Sequence, residues 1–109
     1  MNKPSSHTGP CLWVDDVREA PESWDLARTY EDALIMLDSK NYSTVSLDYY
    51  LSAETDKQAF NGYDILLWLK KRKDSGGYIP GTILAHSSSS RARDMMNEFI
   101  RKEFGSIGF

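Results

Sequence analysis

Four short apolar runs punctuate the chain, and three of them stop abruptly at residues able to do chemistry. Cys11–Val14 runs into Asp15 and Asp16, Thr44–Leu47 into Asp48, and Thr82–Ala85 into His86 and four serines. The remaining run, Trp24–Arg28, is more mixed. Runs of four or five such residues, bounded by polar clusters, read as buried strands. Helical patterns separate the later ones. Thr29 followed by Asp32 resembles a capping box, and Tyr30, Ala33, Leu34 and Leu37 then fall on one face. Ser39–Asn41 ends that helix. After Asn61-Gly62, residues 63–73 form a second helix, with Ile65, Leu66, Trp68 and Leu69 almost all-round apolar. Lys70–Lys73 closes it, where cations suit the negative end of the dipole. Ser90 caps a final helix to about Glu103, with Met96, Phe99 and Ile100 inward.

The order strand, strand, helix, strand, helix, strand, helix predicts an α/β domain with a parallel sheet. The expectation is a three-layer sandwich around a four-stranded, mainly parallel sheet. A chain of 109 residues holds one domain. Residues 1–10 read as a loose polar leader, 11–104 as the domain and 105–109 as a tail. Ile107 and Phe109 in that tail offer a contact for a homo-oligomer. The longest loop, 49–61, shows no period.

Composition removes several function classes. Thirteen basic residues against sixteen acidic ones give a net charge of −3. General nucleic-acid binding and polybasic membrane docking both need a basic surface that this chain lacks. The longest apolar run, Ile65–Leu69, is too short to span a bilayer, and the polar leader is no signal peptide. A single cysteine, Cys11, excludes an internal disulfide and a thiolate cage. Together these absences point to the cytoplasm.

Parallel sheets of this kind take ligands beyond the carboxyl ends of their strands. Asp15, Asp16 and Asp48 meet there if the first and third strands are neighbours. Alone, each Asp reads as a turn former or cap. Together they repel, and a divalent cation relieves them. Mg²⁺ fits, because it takes oxygen ligands and shares them with substrate phosphates. His86 leaves the sheet at the same edge, either as a general acid or base or as a structural hydrogen-bond partner. Ser87–Ser90 leads into a helix N-terminus, an anion-binding arrangement. Arg91 and Arg93 oppose the dipole there, which suits a bound phosphate or a solvated basic face. Arg18 has the same two readings. Cys11, Trp13, Trp24 and Trp68 read as core.

Leu12–Asp16 with Arg18 and Pro21, Ser46-Leu47-Asp48, Asn61–Asp64, and His86-Ser87 with Arg93 and Met96 resemble the cyclic-phosphate-processing receiver-like domain. That family is a divergent relative of the response-regulator receiver, and the resemblance covers about residues 12–100. It implies a truncated, receiver-like (flavodoxin-like) fold. It also implies a Mg²⁺-dependent phosphate site that binds or hydrolyses a cyclic phosphate on a nucleotide or RNA end. In that reading Asp15, Asp16 and Asp48 hold the metal, and His86 and Asp48 are catalytic. Arg18, Ser87, Arg91 and Arg93 take the phosphate of a small molecule or nucleotide. Nothing in the sequence matches a receiver's fifth strand with its Lys. Two other readings stay open: a phosphoacceptor at Asp48 that signals to a partner, and a non-catalytic binder of a cyclic nucleotide or a protein.

Overall fold

The computed structural model describes residues 9–51 and 60–105. The leader up to residue 8, loop residues 52–59 and the tail contact at Ile107 and Phe109 lie outside the described residues. The elements are β1 (Cys11–Val14), β2 (Asp25–Ala27), α1 (Tyr30–Ser39), β3 (Thr44–Leu47), α2 (Gly62–Asp74), β4 (Thr82–Ala85) and α3 (Ser90–Phe104). Among the described residues no helix is long and apolar enough to cross a membrane.

Each helix begins where a side chain takes up a free backbone N–H. Thr29 Oγ1 accepts from the Asp32 N–H at 3.0 Å and opens α1. Asn61 Oδ1 accepts from Tyr63 and Asp64 while Asp64 Oδ2 accepts from the Asn61 N–H, a complete capping box. The cap of α3 is Ser89 and not Ser90, because Ser89 has extended backbone and its Oγ accepts from the Ala92 N–H. Gly105, at φ +83°, ends α3 in the left-handed region.

The sheet order is β2-β1-β3-β4, and all three pairings are parallel. Val14 pairs with Ala27 and with Leu47, and Leu47 pairs with Ala85. The last residues of all four strands therefore stand level. The α/β class and the four-stranded parallel sheet are as expected.

The layering differs from the expected three. Leu12, Val14, Val45, Leu47 and Ile83 join Ala33, Leu37, Ile65, Leu66, Met96 and Ile100 in one core. Here α1 packs on α2 and α2 on α3. Among the described residues the three helices share one side of the sheet. Handedness explains this. The crossovers β2→β3 and β3→β4 step the same way, so right-handed connections place α1 and α2 on the same side. The β1→β2 step runs the other way, but the link there, residues 15–24, contains no helix to cover the second side.

Candidate functional site

The backbone ladder continues one bond past β1, β3 and β4. Asp15 N–H donates to Ala27 O at 3.0 Å, Asp48 N–H to Val14 O at 2.9 Å, and His86 N–H to Leu47 O at 2.9 Å. These bonds set Asp15, Asp48 and His86 side by side on the carboxyl edge. Ligand oxygens of Asp15, Asp16 and Asp48 lie within 4.8 Å of one another. Asp15 is fully buried and Asp48 nearly so, while Asp16 is half-buried.

The two buried carboxylates are treated in opposite ways. Burial works against the charge on Asp15, but the N–H groups of Arg18 and Val17 and the His86 ring outweigh it, and its carboxyl sits below the usual range. Asp15 Oδ1 accepts from Val17 N–H at 2.9 Å and Arg18 N–H at 2.8 Å. Its Oδ2 lies 3.0 Å from His86 Nε2 and accepts from Arg18 Nη1 at 3.3 Å. For Asp48, burial and then the Asp15 charge push the carboxyl above its usual range, against the Tyr49 N–H and Arg18. Asp48 Oδ1 accepts from Tyr49 N–H at 2.8 Å. Neither Asp48 Oδ2 nor the Asp16 carboxylate has a hydrogen-bond donor among the described residues. Those oxygens, beside a charge that repels them, are suited to a hard divalent cation.

His86 is held on three sides. Its Nδ1 lies 2.7 Å from Ser46 Oγ, its Nε2 meets Asp15, and Trp13 stacks on the ring at 3.8 Å and 7°. Burial pushes the imidazole below its ordinary value, against the pull of Asp15. Trp24 packs edge-on against Trp13 at 5.7 Å. Among the described residues the buried Trp13 Nε1–H has no acceptor, an arrangement that costs about 1–3 kcal/mol. The indole is therefore placed for its face.

A family model for the cyclic-phosphate processing receiver domain matches residues 11–102. The chain belongs to that family. Comparison with curated proteins and with solved structures finds no match.

Within this receiver domain, the acidic cluster, Arg18 and His86 come together as the sequence predicts. Ser87 and Arg93 pair with each other instead. Ser87 is buried, its Oγ accepts from the Ser89 N–H, and its carbonyl accepts from Arg93 Nη1 at 3.0 Å. Arg91 is exposed, and nothing ties it to the cluster among the described residues.

Besides Trp13, which the sequence reads as core, and Ser46, both of which hold the His86 ring, two more site residues escape the sequence reading. Arg28 Nη1 donates to the carbonyls of Arg18 at 3.0 Å and Asp15 at 3.5 Å, and Nη2 meets Glu19 at 3.1 Å. It clamps the loop that carries Asp16 and Arg18. Its signal was positional: Arg28 follows β2 as Asp48 follows β3 and His86 follows β4. The other is Gly62. A Cβ there would run into the Asp48 carbonyl, and the Gly62 N–H donates to Tyr49 O at 2.8 Å. Only glycine lets α2 start against the strand that ends in Asp48. A separate cleft of about 260 Å³ lies between α2 and α3, lined by Tyr63, Met95, Phe99 and Lys102. No member of the acidic cluster lines it.

Proposed function

We propose that this receiver domain holds Mg²⁺ on its clustered carboxylates and binds or opens a cyclic phosphate on a nucleotide or RNA end. The observation that carries the reading is the convergence of Asp15, Asp16 and Asp48 within 4.8 Å, with Asp48 buried against a like charge. A cluster that repels itself gains most from a dication. The acceptors of Asp15 are already engaged, so Asp48 Oδ2 and the Asp16 carboxylate are the oxygens ready for the metal. Bound there, Mg²⁺ would neutralise the carboxylates and draw charge from a phosphate oxygen. Arg18, half-exposed beside the cluster, supplies a cation for the phosphate.

The test pairs Mg²⁺ titration calorimetry with turnover of a nucleoside 2′,3′-cyclic phosphate, followed by phosphorus NMR with Mg²⁺ or with EDTA. Mg²⁺-dependent ring opening, lost on Asp48→Asn, is the expected result. A protein that neither binds Mg²⁺ nor needs it for binding or turnover would overturn the proposal. Intact mass after incubation with a small phosphodonor separates this reading from phosphoacceptance at Asp48, which would add one phosphoryl group.

A further inference from the structure

We infer that His86 is a positioning residue, fixed by Ser46 and Trp13 so that its Nε2–H orients Asp15, and that it reaches the phosphate chemistry only through that carboxylate. The inference rests on the metal-site reading above and gives His86 a role different from proton transfer. It begins with which atoms of the ring are free. A neutral imidazole has one donor and one acceptor. Asp15 is a carboxylate and can only accept, so the proton stands on Nε2, 3.0 Å from Asp15 Oδ2. Nδ1 is then the acceptor, and the hydroxyl that donates to it is Ser46 Oγ at 2.7 Å. Neither nitrogen keeps a lone pair or a proton facing outward, as a general acid or base requires. One ring face lies 3.8 Å from the Trp13 indole.

The parts that hold the ring are placed by the sheet. Trp13 on β1 and Ser46 on β3 are direct register partners. Their side chains alternate away from the core-facing Leu12, Val14, Val45 and Leu47. Ser46 is nearly fully buried, and its hydroxyl has a defined task in binding Nδ1. What the ring holds is also defined. Asp15 Oδ2, met by His86, also accepts from Arg18 Nη1, while Oδ1 accepts from the backbone N–H groups of Val17 and Arg18. Fixing the rotation of this carboxylate fixes the turn that carries Asp16 and the guanidinium of Arg18. Partners of this outer kind typically change metal affinity 10–100-fold.

The experiment separates donation at Nε2 from proton transfer. Glutamine can place an amide N–H near where Nε2 stands, while asparagine falls short of it. With Mg²⁺ alone as the probe, His86→Gln is expected to hold affinity within about fivefold of wild type, and His86→Asn to lose about tenfold or more. Turnover of the 2′,3′-cyclic phosphate should follow the same order. In the metal-free protein, nitrogen NMR of the imidazole should show one slowly exchanging tautomer with the proton on Nε2. Equal losses in the two variants, or a ring protonated on Nδ1, would overturn the inference. So would a His86→Gln protein that keeps Mg²⁺ affinity yet loses about 10²–10⁴-fold in turnover, the signature of general acid–base catalysis. If wild type binds no Mg²⁺, the metal reading fails on its own, and the ring spectrum still decides the placement of His86.

Discussion

Asp48→Asn should make the metal-free protein more stable while removing its response to Mg²⁺. The substitution keeps the shape and the acceptor for the Tyr49 N–H, and deletes one buried charge. Asp15 lies within 4.8 Å of it. At that separation two unit charges repel by about 3.5 kcal/mol at an effective dielectric near 20, and by about 0.9 kcal/mol in bulk water. The attraction of Arg18 returns part of this, leaving an expected gain of about 1–2 kcal/mol, or roughly 4 °C or more in Tm for a domain of this size. The pH dependence follows from the sign of the shift. Asp48 is raised in the folded state above its ordinary value of 3.8. Its stabilising contribution is present below that value and is lost as pH rises through the folded pKa. The gap between variant and wild type should therefore open from about pH 4 towards neutrality and close under acid. Thermal melts in EDTA across that range measure it. Millimolar Mg²⁺ should raise the wild-type melt by mass action and leave the variant unmoved. A variant that melts lower at neutral pH without metal, or a gap that ignores pH, would refute the reasoning.

Three further outcomes are expected. Gly62→Ala forces α2 off the Asp48 carbonyl and should cost about 2–3 kcal/mol in urea unfolding, with weaker Mg²⁺ binding. Arg28→Lys can reach only one of the two carbonyls that Arg28 spans, and should lower Mg²⁺ affinity about tenfold by calorimetry with less than about 1 kcal/mol lost in stability. Tyr42→Phe removes the 2.6 Å hydrogen bond to Asp25, whose carboxyl that hydroxyl and Lys40 hold below 3.8. About 1 kcal/mol should disappear from unfolding at neutral pH. This stabilisation is present above pH 3.8 and fades as the pH falls through the folded pKa of Asp25.

The convergence of Asp15, Asp16, Asp48 and His86 was legible because a parallel sheet aligns strand ends. Residues 33 and 71 positions along from Asp15 come level once β1, β3 and β4 are placed. The start of α1 followed from a cap that local chemistry dictates, Thr29, whereas Asn61 read only as a break and its capping of α2 at Gly62 appears in the structure. At α3 four consecutive serines offered equivalent caps, and the extended backbone of Ser89 with its hydrogen bond from the Ala92 N–H distinguishes it. The Trp24–Arg28 run keeps only Asp25–Ala27 as strand, since the side chain of Arg28 turns to the β1–β2 loop. Arg28 and Gly62 act through backbone carbonyls, which carry no side-chain signature. Arg91 and Arg93 looked alike in sequence, yet one is exposed and the other donates to Ser87 O. That difference depends on how α3 is rotated against α2, where Met96 and Ile100 turn inward.

The β3→β4 crossover leaves β4 and α3 as a unit at one edge of the sheet. Such units open locally at less free energy than global unfolding requires. When this one lifts away, Asp15 and Asp48 stay together on the two central strands, but the imidazole leaves with β4. The occupancy of Asp15 by its partner is thus governed by the opening equilibrium of the edge and not by the stability of the whole molecule. A packing fault at Ile100, buried on α3, would then be felt at the strand ends without touching them. Hydrogen exchange at the His86 amide, whose bond to Leu47 O joins the edge to the centre, reads that equilibrium directly.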